Sequence, residues 1–420
     1  MSKEFKTRRK TLQKSETFDD RQKRIPGWDR DAIRNATVLV IGAGAIANET
    51  IKNLALLGFG HIIVADFDTI EFTNLTRTVL FSQNDINKKK AEVAVQKYLE
   101  MNLEPTATAD TFDGDVVYEL GDGVIRRADI VLGCLDNLET RFAVNHACMR
   151  YNIPYIDAAI DALSWTLKVC NGHDYGCFEC FGGNALSESR FRQSCANTMR
   201  KADENNKAAT VQTSSAFVSA FQVQEALRTI CNLNPTYGKE YWFWKNTLNV
   251  FDMKIDSKYC PSHASPFPPR ETINQTPLSY RNTLREFLSY ISDTEYDTFV
   301  TDEDKERAYV LKSPCPGCGK MVDVNLCYYK YFSDDFFCDD CKKNNRVFRD
   351  KVVESDLELL YEFSLETTPD YLLDKPLSEF GIPAFHVVAA KNSKTEKRAY
   401  FELTKDFTEV LPEYYRKHEK

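Results

Sequence analysis

The sequence predicts an α/β protein built on a mainly parallel sheet through about residue 265, followed by a cysteine-rich segment and a small α+β region. Three observations predict this. From Thr37, TVLVIGAGAIANETIKNLALLG reads as a β-branched apolar run, a glycine-rich turn, and then Ile46, Ile51, Leu54 and Leu57 at helical spacing. HIIVADFD follows as a second buried strand, which completes one β-α-β unit. Further on, the strand-like runs ADIVLGC (128–134) and PYIDAA (154–159) flank the helix-like LETRFAVNHACMRYN, so strands and helices alternate.

The elements can be justified in order. Residues 1–30 form a polar, basic arm, in which Pro26-Gly27 marks a turn before a short helix ending near Asn35. Residues 31–265 read as one domain. Within it, 182–209 has few apolar residues and is expected to be a crossover loop. The helix SSAFVSAFQVQEALRTI (214–230) and two aromatic-rich strands in YWFWKNTLNVFDMKI close the domain. The prolines of PFPPR (266–270) signal a linker, so 266–304 reads as linker and helix, the helix being LREFLSYI. A cysteine-bearing segment occupies 305–345, and 346–420 ends in the paired strands AFHVVAAKN and KRAYFELTK.

Composition narrows the function. Of 420 residues, 43 % are hydrophobic and 28 % charged, values typical of a globular protein. The net charge of −8 lacks the overall basic field of a general nucleic-acid binder. No run approaches the roughly 20 apolar residues that cross a bilayer, and MSKEFKTRRKTLQK has no apolar stretch to serve as a secretory signal. The expectation is a cytoplasmic chain with neither nucleic acid nor membrane as partner.

Gly42-Ala43-Gly44-Ala45-Ile46-Ala47 approximates G-x-G-x-x-G with alanine last. Gly42 and Gly44 allow a tight turn whose backbone N–H groups approach phosphate at the start of a helix. Asp66, at the end of the next strand, is placed to accept a ribose hydroxyl. A dehydrogenase and an adenylating enzyme both meet this description. The segment DFDTIEFTNLTR separates them, because Asn74 and Arg77 follow the ribose strand where only phosphate chemistry needs a cation. Lys90 begins the helix KAEVAVQKYLE, and Asp136 in CLDNLETR falls at the end of the fourth strand, a natural position for a Mg²⁺ ligand.

RQKRIPGW, VLVIGAGAIANE, DFDTIEFTNLTR, DINKKKAEVA and CLDNLETRFAVN together resemble the adenylation domain of the ubiquitin-activating enzyme superfamily, whose ThiF-type, Rossmann-like fold also serves activators of sulfur carriers. The resemblance spans about residues 18–265. It implies ATP and Mg²⁺ as cofactors, with Asp66 on the ribose, Asn74, Arg77 and Lys90 on the phosphates, and Asp136 on Mg²⁺. It also implies that Arg21 reaches toward the γ-phosphate, in some members across a homodimer. Asp68 and Asn137 join the nucleotide-side candidates, Asp68 being equally readable as a surface cap. The chain departs from the family at Ala47 and at Asn87, where glycine is usual.

The 13 cysteines are unevenly spread, and several form C-x-x-C pairs, which suggests metal binding. Cys177 and Cys180 pair by spacing, as do Cys260 and His263, and the resemblance joins these places in one Cys₄ zinc site, whose fourth position is here His263, which gives a Cys₃His set. Cys315, Cys318, Cys338 and Cys341 have zinc-ribbon spacing. Four thiolates leave zinc no open position, so this second site is structural or a docking module for a partner. Cys134, Cys148, Cys170, Cys231 and Cys327 sit in apolar or helical settings and read as buried thiols. Cys195 differs, because Arg190, Arg192, Arg200 and Lys201 surround it and cations favour the thiolate. The resemblance makes Cys195 the candidate thioester nucleophile, with a structural or sulfur-handling thiol as the alternative, since sulfur-carrier activators also tend to have a cysteine there.

The expected reaction is adenylation of the C-terminal glycine of a ubiquitin-like protein, then transfer to Cys195 and on to a conjugating enzyme. The alternatives are activation of a sulfur carrier, adenylation of a short peptide or a tRNA-borne carboxylate, and a non-catalytic partner subunit.

Overall fold

The computed structural model describes residues 17–182, 210–256, 260–264, 272–301, 307–331, 336–344 and 354–418. The apolar runs become strands with every residue buried: β1 (Thr37–Ile41), β2 (His61–Ala65) and β4 (Ile130–Gly133). With β3 (Thr108–Phe112), β5 (Tyr155–Asp161), β6 (Ser164–Cys170), β7 (Lys239–Trp244) and β8 (Thr247–Asp252) they form a sheet in the order β3-β2-β1-β4-β5-β6-β7-β8. The first five strands are parallel, and β6, β7 and β8 add antiparallel. The chain runs outward from β1 through β2 to β3 and returns on the other side as β4. The order therefore reverses between β1 and β4, which opens a crevice at their carboxyl ends. Strand β3 has no apolar run to announce it, since TADTF lies at the sheet edge and puts only Ala109 into the core.

Alternation along β1 builds two cores. Val38 and Val40 face the helices Ala45–Leu57, Lys90–Met101 and Gln212–Ile230, while Leu39 and Ile41 face Asp122–Arg127 and Leu138–Arg150. The second face is completed from the far end of the chain, because Phe385, Val387, Phe407 and Leu411 share that core.

Residues 272–301 and 354–418 assemble together. Strands β9 (Ile273–Thr276) and β10 (Thr298–Val300) join β14 (Glu362–Ser364), β15 (Val387–Lys391) and β16 (Arg398–Leu403) in a five-stranded sheet. The helix Leu284–Ser292 packs Leu284, Phe287, Leu288 and Ile291 onto it, started by a Thr283–Glu286 capping box. Strands β11 (Tyr309–Pro314), β12 (Met321–Cys327) and β13 (Glu358–Leu360) form a third sheet bearing the second cysteine set.

This carboxyl-terminal assembly is seated closely on the first sheet. A Cβ on Gly121 would lie 2.1 Å from the Ala384 carbonyl oxygen, so only glycine permits the approach. Buried Glu402 accepts from both Arg126 and Arg127, and Asp110 on β3 accepts the backbone N–H groups of Glu413 (3.0 Å) and Tyr414 (2.8 Å). Among the described residues, no helix is long and apolar enough to cross a membrane.

Candidate nucleotide site and metal centres

The in-register ends of β1, β2 and β4 set the site. Ile41 pairs with Ala65 on one side and Gly133 on the other, so Gly42, Asp66 and Cys134 emerge side by side. Gly42 has φ +95°, and a Cβ there would come within 2.5 Å of the Cys134 carbonyl oxygen, which makes glycine obligatory. Gly44, at the start of the helix Ala45–Leu57, is different. A Cβ there would meet nothing within 4 Å, so the turn opens onto space that a phosphate can fill.

Asp66 stitches the turn to the strand end: its carboxylate accepts the N–H of Ala43 at 2.7 Å and of Asp68 at 2.8 Å. Burial raises its pKa despite the nearby Lys90 charge. A carboxylate has lone pairs to spare, so a ribose hydroxyl can still bind. Asn48, fully buried, donates to the carbonyls of Ala43 and Gly44 (both 2.9 Å) and accepts from Leu80 N–H (3.0 Å). It thereby ties the glycine turn to the segment that follows Arg77.

The phosphate-side candidates have the following local settings. Asn74 is buried, and its Oδ1 accepts the Glu71 N–H at 2.9 Å, which leaves its amide NH₂ as the donor for a ligand. Arg77 donates to the Thr73 carbonyl at 2.9 Å and has no carboxylate partner among the described residues. Lys90 is the first residue of its helix and pairs with half-exposed Asp68 at 2.7 Å. Lys90 is 13 % exposed and Asp68 53 %, so the pair is partly shielded from solvent. Asn87 adopts φ +68°, the backbone that glycine supplies elsewhere and that asparagine tolerates. Ala47 is fully buried inside its helix.

Strand β4 ends at Gly133, so Asp136 lies three residues beyond it in an exposed loop, where the contact to its carboxylate is the Asn137 amide at 3.4 Å. Asn137 caps the helix Leu138–Arg150 through the Thr140 N–H at 2.8 Å. Arg21 is exposed, and its side chain has no hydrogen bond or ion pair among the described residues. Cys195 and the stretch 183–209 lie outside the described residues.

Four residues to which the motifs assigned no role support this edge. Arg141 forms a buried pair with Asp157 and also donates to the Leu135 carbonyl, one residue before Asp136, while the Tyr155 hydroxyl donates to Asp157 at 2.8 Å. Gln222 donates to the carbonyls of Gly133 and Ile156, both at 2.9 Å, where β4 and β5 part. Arg141 stands inside the CLDNLETR motif, and Gln222 is a polar residue on the buried face of its helix, the one visible signal for each. Cys134, whose thiol burial pushes up to about 12, is no nucleophile. Cys148, Cys170 and Cys327 are buried as expected, but Cys231 is only half-buried, because it sits at a helix end.

Both cysteine sets converge, each with its four donor atoms within 4.8 Å of one another. In the first, Cys177 Sγ lies 3.8 Å from Cys180 Sγ and 3.6 Å from Cys260 Sγ, close to the ~3.8 Å edge of a tetrahedron with zinc–sulfur bonds of about 2.3 Å. His263 Nε2 is 3.1 Å from the Tyr175 carbonyl oxygen, which places the proton there and turns the Nδ1 lone pair toward Cys180 and Cys260, each at 3.3 Å. In the second, Cys318 and Cys338 lie 3.6 Å apart, and the Cys338 N–H donates to Cys315 Sγ at 3.3 Å. Both donor sets fit a tetrahedral ion with no open position.

A parallel sheet with a glycine turn at its switch point, flanked by an acidic strand end and a ring of phosphate-seeking side chains, defines a Rossmann-like nucleotide-site protein of the E1-like adenylating type. The chain belongs to the ThiF family, whose pattern matches residues 20–262. It is 35 % identical over 151 residues to "SUMO-activating enzyme subunit 2" of Dictyostelium discoideum (36 % of this chain, 22 % of that protein). It is 32 % identical over 149 residues to "Sulfur carrier protein ThiS adenylyltransferase" of Escherichia coli (35 % of this chain, 58 % of that protein). It is 27 % identical over 243 residues to "Ubiquitin-like modifier-activating enzyme 5" of Drosophila pseudoobscura pseudoobscura (55 % of this chain, 59 % of that protein). The chain thus spans less than two thirds of the length of each of these relatives.

Proposed function

We propose that the protein adenylates the C-terminal glycine of a small ubiquitin-like or sulfur-carrier protein with ATP. The observation that carries this reading is the open space at Gly44, in the turn that Asp66 holds through the Ala43 N–H; Arg77 and Asp136 are the side chains we assign to its ligand. The substrate carboxylate oxygen bonds to the α-phosphorus, and the bond from that phosphorus to the bridging oxygen breaks. Pyrophosphate leaves with the electron pair. Asn74, Arg77 and Lys90 neutralise the charge that gathers on the phosphate oxygens, and Asp136 holds Mg²⁺. Mg²⁺, which Asp136 would hold, would offset the negative charge of the phosphates. Arg21 acts from a second copy of the chain. The two cysteine sets hold zinc as structural ions.

Cys195 then attacks the acyl carbon as a thiolate, AMP leaves, and a thioester awaits a conjugating enzyme. A second reading, in which a sulfur donor acts on the adenylate, is supported by the similarity to the Escherichia coli ThiS adenylyltransferase. Incubation with ATP, Mg²⁺ and Gly-terminated small proteins, followed by non-reducing electrophoresis, tests both. A thiol-sensitive adduct that is lost in Cys195→Ala supports the thioester, and pyrophosphate exchange without an adduct supports the sulfur carrier. Absence of exchange with every candidate rejects adenylation of such proteins.

A further inference from the structure

The second cysteine set is remote in sequence from the glycine turn, yet the segment it closes reaches the phosphate edge. Cys315 and Cys318 precede β12, Cys338 and Cys341 follow it, and between them the short turn Tyr328–Lys330 carries Tyr329. The Tyr329 ring stacks on Tyr118, with centroids 4.5 Å apart and planes within 6°. Gly381, at φ +78°, also lies against this ring: a Cβ there would sit 3.0 Å from Tyr329 Cε1.

Tyr118 is buried in the segment after β3, at the same end of the sheet as Gly42 and Asp66. Its hydroxyl is 3.1 Å from Glu139 Oε1 and donates to it. Glu139 is the second residue of the helix Leu138–Arg150, whose cap Asn137 adjoins Asp136. Tyr329 thus reaches, through Tyr118 and Glu139, the first helical turn after Asp136.

We propose that Tyr329 is a positioning residue for Asp136, acting through Tyr118 and Glu139. This rests on the reading of Asp136 given above. Asp136 sits in an exposed loop, and the direction of its carboxylate follows from how the first helical turn is held. Arg141 holds that loop at the Leu135 carbonyl, and Tyr118 holds the turn after it. A residue that orients a metal ligand typically changes metal affinity by about 10–100-fold when removed.

The test is the Mg²⁺ concentration for half-maximal ATP–pyrophosphate exchange, read beside ATP affinity by calorimetry with and without Mg²⁺, which needs no turnover. Tyr329→Ala and Tyr118→Phe should each raise the Mg²⁺ midpoint on the order of tenfold. Each should weaken ATP binding only when Mg²⁺ is present. Tyr329→Phe keeps the stacked ring and should retain the parent midpoint. Tyr118→Phe removes a single hydroxyl and preserves the stack, so it reports even if the other variants fold poorly. If Asp136→Ala shifts the midpoint while Tyr329→Ala and Tyr118→Phe do not, the positioning role is overturned and the Asp136 assignment stands. If Asp136→Ala leaves both measurements unchanged, the assignment is wrong and the proposal falls with it.

Discussion

Arg141 and Asp157 pair inside the protein, each less than a tenth exposed, and the same guanidinium holds the carbonyl of Leu135 beside the Asp136 loop. Removing one member strands the other as a buried charge, which typically costs about 3–5 kcal/mol. Asp157→Ala should lower stability by that order in urea unfolding. A loss below about 1 kcal/mol would mean that water reaches the pair.

The two glycines of the turn should separate fold from ligand. Gly42→Ala forces a side chain into a left-handed backbone and against the Cys134 carbonyl, so it should destabilise the fold by at least about 1 kcal/mol. Gly44→Ala meets no protein atom and should leave the thermal midpoint nearly unchanged while weakening ATP binding. Equal ATP affinity in Gly44→Ala and the parent would remove the phosphate from this turn.

Asp122 ties the helix Asp122–Arg127 to the carboxyl-terminal assembly. Burial alone would raise its pKa, but His386, Arg150 and the Tyr151 hydroxyl together hold it down at about 2. Because the folded-state pKa lies below the usual value of 3.8, the carboxylate stabilises the fold above pH 4, and that contribution fades as pH falls from 4 toward 2. Asp122→Asn should therefore cost about 2 kcal/mol at pH 7, and the gap to the parent should close on acidification. A gap that stays constant down to pH 2 would contradict this assignment.

Each cysteine set should hold one ion. His263→Ala removes the Nδ1 donor from the first set, so metal analysis of the purified variant should fall from two equivalents to one. Cys338→Ser should do the same at the second set and should lower thermal stability, since closure of the segment depends on the ion. Two equivalents retained in His263→Ala would exclude histidine as a ligand.

The sequence by itself determined the β-α-β start, the glycine turn, the acidic strand end, the order of the phosphate candidates and both cysteine sets. These features are local: a hydrophobic period, a turn chemistry or a ligand spacing lies within a few residues and has a physical cause there. What the tertiary structure decided depends on residues far apart in the chain. Asn48 grips the glycine turn because the fold brings Leu80 to it, and Arg141 finds Asp157 only when the helix crosses β5. Strand β3 is recruited by its neighbour β2 with little apolar signal of its own, and Phe385 and Phe407 finish a core begun at Leu39. Tyr329 meets Tyr118 for the same reason: burial and backbone pairing are satisfied across the whole chain, and no short window records which distant surfaces will close on each other.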